Sequence, residues 1–214
     1  RVMAACLPRL KVISKWGTGI DSIDSEAASR LGIRVCRTPN AFTLPVADSV
    51  LGYILAFARS QPWMDRQMKA GQWEKIPGRA LHECTLGVVG VGAIGKAVIR
   101  RARAFGMRVL GNDIAEVDHA FVAETGLRMT DLPSMVAASD FVSVNCDLSP
   151  SSRHIINDTI LAGMKRGAVL INTARGPLVD EAALVSALQA GHIAGAALDV
   201  FEFEPLPPGS PLLH

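Results

Sequence analysis

Three glycines, Gly90, Gly92 and Gly95, stand at GxGxxG spacing between the apolar run Leu86-Gly87-Val88-Val89 and a helix-forming stretch from Ala93 to Phe105. A buried strand that turns at once into a helix directs free N–H groups and the positive end of the helix dipole at the turn, which suits a pyrophosphate. Each glycine then has its own role, in that Gly90 permits the turn, Gly92 lets the backbone approach the phosphates, and Gly95 lets helix and strand pack closely. A second strand, Met107 to Gly111, leads to Asp113, 18 residues beyond Gly95. A carboxylate there is placed to accept hydrogen bonds from the two hydroxyls of an adenosine ribose. Ile114, Ala115 and Glu116 follow and bring no arginine for a 2′-phosphate, so the pattern favours NAD over NADP. A structural turn with an incidental aspartate is the alternative, and the run of strand, turn, helix, strand and acid argues against it.

The elements that must position these groups alternate along the chain. After the first strand–helix–strand unit come a short helix near Glu116 to Glu124, an edge strand near Leu127, a helix Leu132 to Ala138 and a strand Phe141 to Asn145. Helix Asp158 to Met164, strand Ala168 to Asn172, helix Asp180 to Ala190 and strand Ile193 to Leu198 complete the series. Such alternation predicts an α/β fold with a doubly wound parallel sheet covered on both faces. Ligands of these sheets bind beyond the carboxyl ends of the strands, so the residues after each strand carry the information. Two of these tips are chemically loaded: Arg175 in Asn172-Thr173-Ala174-Arg175-Gly176-Pro177, and the run from Asp199 to Glu204 before Pro205. An arginine can clamp a carboxylate in a bidentate fork, and a glutamate beside a histidine raises the histidine's pKa and orients it for acid–base work. Taken singly, Arg175 is equally suited to hold a loop, Asp180 to cap the helix after it, and Glu202 or Glu204 to sit as a solvated turn residue.

Composition narrows the function classes. With 214 residues, 49% hydrophobic content and a net charge of +2, the chain can bury a large core and is read as one domain and part of another. The charge balance gives no reason to expect nucleic acid or an anionic membrane, and the longest apolar run, from Val50 to Ala58, is too short to span a bilayer. Cys6, Cys36, Cys84 and Cys146 are scattered in or beside apolar runs and read as buried, reduced thiols of a cytoplasmic protein, with no metal site. Trp16, Trp63 and Trp73 are read mostly as packing residues.

Nearer the start, Arg1 to Leu7 reads as the end of a helix stopped by Pro8, and Leu10 to Ser14 as a strand. The loop Lys15-Trp16-Gly17-Thr18-Gly19-Ile20-Asp21 follows, then a helix Asp24 to Leu31 stopped by Gly32, and a strand Ile33 to Cys36. Exposed N–H groups in that loop suit a carboxylate or phosphate; a plain turn is equally consistent with its glycines. Pro45 opens a long helix to Arg59, with Val46, Val50, Tyr53, Ile54 and Phe57 as its buried face. A helix Pro62 to Ala70 and an irregular stretch Gln72 to Ala80 follow.

The series GVVGVGAIG, the acid Asp113, INTARGPLVDEAAL and AGAALDVFEFEP, in this order, resembles the NAD-dependent D-isomer-specific 2-hydroxyacid dehydrogenases. KWGTGIDSID and TPN are similar to the phosphoglycerate dehydrogenase branch. The resemblance implies a Rossmann-type NAD-binding domain at 81–205 and part of a smaller flavodoxin-like substrate domain at 1–43. Linker helices at 44–80 would form a hinge and part of a homodimer interface, and 206–214 would return towards the substrate domain. Gly90, Gly92, Ala93, Ile94 and Gly95 would hold the pyrophosphate, Asp113 the ribose, and Cys146, Thr173, Ala174 and Asp199 would line the nicotinamide end. Thr18 and Gly19 would face substrate and nicotinamide across a cleft. Arg175 would bind the carboxylate of a 2-hydroxy or 2-oxo acid and polarise its carbonyl, beside the cofactor, and Glu204, not Glu202, would be the catalytic carboxylate.

The family's third catalytic group is a histidine in a Pro-His pair further beyond the Glu-Pro than this sequence extends; His214 lies ten residues past Glu204 and follows Leu213. His82, His119, His154 and His192 are expected on the surface or in loops, and the chain is expected to be a fragment. Asn145 and Asp147 stand where the family often has histidine and proline, and Lys15, a candidate substrate phosphate ligand, stands where many relatives have arginine. The activity implied is hydride transfer with 3-phosphoglycerate foremost and glyoxylate or hydroxypyruvate next. A non-enzymatic, NAD-sensing corepressor is the alternative from another class.

Overall fold

The computed structural model describes residues 1–213. The chain divides into two compact units, Arg1–Pro45 and Val46–His214.

In the first unit a short helix α1 (Val2–Ala5) precedes β1 (Val12–Lys15), α2 (Ser25–Arg30) and β2 (Arg34–Arg37). The two strands pair in parallel, Val12 opposite Arg34 and Lys15 opposite Arg37. Asp24 caps α2 by accepting from Ala27 N at 2.8 Å, and Gly32, at φ +69°, ends it in a left-handed turn.

The second unit carries α3 (Thr43–Ala58) on from the boundary, then α4 (Gln61–Lys69), β3 (Thr85–Val89), α5 (Ala93–Ala104), β4 (Arg108–Asn112) and α6 (His119–Thr125). It continues with β5 (Arg128–Met129), α7 (Leu132–Ala138), β6 (Phe141–Val144), α8 (Asp158–Gly163), β7 (Val169–Asn172), α9 (Glu181–Gln189) and β8 (Gly195–Leu198). The six strands β3 to β8 form one parallel sheet in the order β5-β4-β3-β6-β7-β8. The order reverses direction between β3 and β6, the switch point at which doubly wound sheets open a crevice.

Strand side chains alternate between faces, and the two halves of the core follow that period. Leu86, Val88, Phe141, Val169 and Ile171 pack with α3, α5 and α6 on one face. Val89, Val142, Val144 and Leu170 pack with Met135 and Val136 of α7, Leu161 of α8 and Leu184 of α9 on the other. Because β3, β6 and β7 are covered on both sides, every residue in them is buried, which explains their mainly apolar sequence; the polar exceptions, Thr85, Ser143 and Asn172, are small or hydrogen-bonded.

The structure corrects three expectations. The buried face of α3 is Ala47, Val50, Leu51, Ile54 and Ala58; Val46, Tyr53 and Phe57 flank it half-buried, with the Phe57 ring against Gly195 of β8. Of the cysteines only Cys84 is buried; Cys6 is exposed at the end of α1, a helix with no buried residue, and Cys36 and Cys146 are half-buried. The tryptophans are not core residues. Trp16 and Trp73 are about four-fifths exposed, Trp16 only tilts against Phe42, and Trp63 lies against Phe57. No helix among the described residues is long and apolar enough to cross a membrane.

At the amino end of the sheet, buried Asp140 accepts from Thr85 N at 2.8 Å, Lys165 Nζ at 2.7 Å and Arg79 Nη1 at 3.1 Å. Burial pulls its carboxyl upward, but the Lys165 and Thr85 hydrogen bonds and the charges of Lys165 and Arg79 outweigh that and hold it below the ordinary value. Stability from Asp140 is therefore fully present above the unfolded carboxylate value of about 4 and lost as the pH falls through its lower folded value. Asp140→Ala is expected to cost about 1–3 kcal/mol at pH 7, mainly for the unpaired Thr85 N–H, since Arg79 and Lys165 are half-exposed and rehydrate. Urea midpoints of wild type and variant should differ at neutral pH, and the difference should begin to shrink only as the pH falls below about 4.

Candidate active site

The glycine-rich turn is held open at one point and closed at two. Gly90 has φ +88°, and a β-carbon on it would come within 2.6 Å of Cys146 N, because the turn after β3 lies against the chain leaving β6. A β-carbon on Gly95 would overlap the Gly90 carbonyl, so the first turn of α5 rests directly on the end of β3. Nothing lies within 4 Å of the corresponding position at Gly92. Gly92 and Ala93 are exposed and Ile94 is half-buried, with Gly92 at the N-cap of α5. The space a phosphate needs thus opens where the helix points its free N–H groups.

Asp113 follows β4, and its carboxylate bridges the turn: Oδ2 accepts from Val91 N at 2.6 Å and Oδ1 from Ala115 N at 2.8 Å. Those bonds fix its orientation beside the glycine turn and leave further acceptor lone pairs for hydroxyl donors. Ile114, next to it, is fully exposed. Asp113→Ala is expected to weaken NADH binding by about 1–3 kcal/mol, the scale of lost charged hydrogen bonds, as read by fluorescence titration. An unchanged affinity would remove Asp113 from the ribose site.

Beyond β6 and β7 two buried polar atoms lack hydrogen-bond partners among the described residues, Asn145 Oδ1 and Thr173 Oγ1. Buried polar atoms are normally satisfied, so these two point to a ligand supplied from outside the chain. Cys146 follows Asn145 and lies with its backbone against Gly90 of the glycine turn. Burial foremost, and then the carboxylates of Asp147 and Asp113, push its thiol up to about 11, so it presents a neutral surface and no thiolate.

Arg175 leaves β7 through a backbone that is tied down. Asn172 Nδ2 donates to the Arg175 carbonyl at 2.8 Å, Ala174 N donates to Asn172 Oδ1 at 3.1 Å, and Arg175 Nη1 donates to the Ala174 carbonyl at 2.6 Å. Asp199, at the tip of β8, donates its N–H to the Asn172 carbonyl and is exposed. Burial and the Asp199 charge together raise the Tyr53 phenol, which places that tyrosine's environment beside the β8 tip. Glu204 Oε1 accepts from Phe201 N at 3.0 Å, closing the turn that carries it.

The glycine turn, Asp113, Cys146, Thr173, Ala174, Arg175, Asp199 and Glu204 all fall in the second unit at the carboxyl ends of its strands or in the loops that follow. Lys15, Thr18 and Gly19 belong to the first unit. Lys15 ends β1 half-buried, the Thr18 carbonyl accepts from Arg37 Nη1 at 3.3 Å, and Gly17 N donates to Thr38 Oγ1 at 2.8 Å to fix the loop. Two histidines meet a glutamate in the second unit: exposed His119 lies 3.2 Å from Glu116 Oε1, and part-buried His154 has its Nε2 2.5 Å from Glu202 Oε1. Neither His154 nor Glu202 stands out in the sequence, because they lie 48 residues apart; a loop histidine one strand tip away from an acidic loop is the available signal. His214 lies outside the described residues.

Residues 51–214 match the family model described as D-isomer specific 2-hydroxyacid dehydrogenase, NAD binding domain. Glyoxylate reductase of Thermofilum pendens is 44% identical over 211 residues, covering 96% of this chain and 62% of the relative. D-3-phosphoglycerate dehydrogenase of Methanocaldococcus jannaschii is 42% identical over 208 residues, covering 96% of this chain and 39% of the relative. The crystal structure of D-lactate dehydrogenase from Aquifex aeolicus, complexed with NAD and lactic acid, is similar with a TM-score of 0.87 and 34% identity, over 94% of this chain and 61% of that one. The chain therefore spans less than two thirds of these relatives. With a glycine turn open at Gly92, a carboxylate at the second strand tip and a six-stranded sheet of matching order, the chain belongs to the D-isomer specific 2-hydroxyacid dehydrogenase family and contains its NAD-binding domain.

Proposed function

We propose that this chain carries the cofactor site, and residues of the substrate site, of an oxidoreductase that transfers a hydride between NAD(H) and C2 of a small D-2-hydroxy or 2-oxo acid. The observation that carries the proposal is the placement of Arg175 and Glu204 on neighbouring strand tips of the sheet whose glycine turn and Asp113 fit a dinucleotide. When bound, the nicotinamide supplies the hydride donor or acceptor at its C4.

The protein's own residues do the rest. The N–H groups at the start of α5 hold the pyrophosphate, and Asp113 holds the adenosine ribose without an adjacent arginine to favour a 2′-phosphate. Thr173 Oγ1 and Asn145 Oδ1 offer unpaired hydrogen-bonding atoms at the nicotinamide end, and the neutral Cys146 thiol keeps that wall free of charge. Arg175 clamps the acid's carboxylate and draws electron density from the reacting carbonyl. Glu204 holds the proton-transferring histidine in its charged form.

For substrate we favour 3-phosphoglycerate, supported by the phosphoglycerate dehydrogenase relative and by Lys15, a cation at the last position of β1. The glyoxylate reductase relative supports glyoxylate or hydroxypyruvate as the second choice. Trp63, Met68 and Trp73, all exposed, support a homodimer contact in the 44–80 region.

The test is NADH oxidation by the full-length protein against phosphohydroxypyruvate, hydroxypyruvate, glyoxylate and pyruvate. Preference for the phosphorylated acid supports the first assignment, and preference for the small acids makes the enzyme a glyoxylate or hydroxypyruvate reductase. Bound NADH with no turnover on any acid would overturn the enzymatic reading in favour of an NAD-sensing interaction protein.

A further inference from the structure

The loops that follow β6, β7 and β8 are stitched together by contacts that the hydride-transfer scheme does not use. The chain leaving β6 reaches His154, whose backbone N–H donates to the Pro177 carbonyl at 2.9 Å. Two residues on, Ile156 N donates to the Leu178 carbonyl and Asp180 N donates back to the Ile156 carbonyl. The β6 loop is thereby fixed to the segment immediately after Arg175. The β8 loop closes on the same segment from the other direction: a β-carbon on Gly176 would overlap the Phe201 carbonyl, and Glu202 N donates to Glu181 Oε1 at 2.5 Å.

One side-chain contact joins the two outer loops across this arrangement. His154 Nε2 lies 2.5 Å from Glu202 Oε1, with one third of the histidine side chain and less than a fifth of the glutamate side chain exposed. An ionised carboxylate only accepts, so this contact is a hydrogen bond when Nε2 is the ring's donor. His154 holds φ +51°, a left-handed backbone uncommon for a residue other than glycine, and its ring meets the β8 loop at Glu202. Glu202 lies two residues before Glu204, in the turn that Glu204 closes through Phe201 N.

We propose that His154 and Glu202 form a latch that positions Glu204 relative to Arg175, so that His154 is a positioning residue acting on the catalytic turn from outside it. The proposal rests on the dehydrogenase reading for its kinetic consequence, and on geometry alone for its structural one. The latch lies in the β6–β8 loops, whereas Asp113 and the glycine turn follow β4 and β3. Its loss therefore disturbs the acid–base carboxylate and leaves the adenosine end of the cofactor site in place.

The test uses three variants of the full-length protein. His154→Asn keeps a residue that tolerates the left-handed backbone but lacks the reach of the ring. Glu202→Ala removes the acceptor, and Glu202→Gln keeps an acceptor oxygen while losing the charge. The expected result is that His154→Asn and Glu202→Ala each lower kcat by roughly 10- to 100-fold, the scale of a misplaced catalytic group. The double variant should be no worse than either single one. NADH affinity should stay unchanged, and Glu202→Gln should recover most of the activity.

Amide hydrogen exchange at Phe201 supplies a second readout that needs no substrate, because Glu204 Oε1 holds that N–H. Exchange there should speed up in His154→Asn and Glu202→Ala and stay near wild type in Glu202→Gln. Faster exchange in the two variants, with a wild type that turns over no acid, would sink the dehydrogenase reading and keep the latch. Unchanged kcat and unchanged exchange at Phe201 would overturn the latch, as would losses of kcat that add in the double variant.

Discussion

Replacing Arg175 with alanine is expected to lower turnover of the full-length protein by roughly 10²- to 10⁴-fold while leaving NADH affinity nearly unchanged. The magnitude corresponds to two charge-assisted hydrogen bonds of about 1.5–3 kcal/mol each, lost from a carboxylate whose position sets the reacting geometry. The direction follows from the structure. One bond of the guanidinium goes to the adjacent Ala174 carbonyl, and the loop backbone is itself held by Asn172 bonds that survive truncation of the side chain. Its backbone carbonyl keeps the Asn172 bond in the variant, so β7 and Thr173 stay in register. Steady-state kinetics beside a fluorescence titration of NADH separate the two effects. If NADH binding collapses together with turnover, the role of Arg175 is to build the loop and not to bind the acid.

A pair of glycine substitutions should behave in opposite ways. Gly95→Ala places a β-carbon onto the Gly90 carbonyl, a backbone atom that cannot swing aside, so α5 must separate from the end of β3. Overpacking of this kind costs about 1–3 kcal/mol and sometimes more, and the shifted turn should bind NADH poorly. Gly92→Ala meets no neighbour within 4 Å, so its thermal midpoint should match wild type, while NADH affinity falls because the added methyl occupies the approach to the pyrophosphate. Thermal unfolding with and without NADH distinguishes them. Equal stability losses in both variants would show that the open space at Gly92 has no connection with a ligand.

This contrast also bears on how much the sequence discloses. The turn at Gly90 and the close packing at Gly95 are legible because each depends on local geometry within six residues, and the space at Gly92 is open as its assigned role requires. The caps are legible for the same reason. Asp180, assigned as a cap from its position before Glu181, accepts from Ala183 N at 3.0 Å. The alternation of apolar runs with amphipathic stretches discloses the doubly wound sheet, since β3, β6 and β7 have no exposed face and are therefore mainly apolar.

What the sequence conceals depends on distant partners. The face of α3 includes Ala47, Leu51 and Ala58 beside Val50 and Ile54, and the burial of such small residues is set by what packs on them, which hydrophobicity alone does not rank. The exposure of Trp16 and Trp73 cannot be read from their bulk, which is as compatible with a surface contact as with a core. The pairing of His154 with Glu202 and the unpaired state of Thr173 Oγ1 arise from loops brought together by the strand order, and no periodicity encodes them. At the candidate site the assignments at the cofactor end rest on spacing, whereas those of Arg175 and Glu204, among several charged loop residues, rest on the family resemblance.

The most direct test of the central claim is transfer of deuterium from NADH labelled at C4 of the nicotinamide, using the full-length protein and the 2-oxo acid it turns over best. The account predicts one deuterium at C2 of a D-configured 2-hydroxy acid, lost in Arg175→Ala under conditions where that variant still binds NADH. Product without deuterium at C2, product of the opposite configuration, or equal labelling by the Arg175→Ala variant would contradict it.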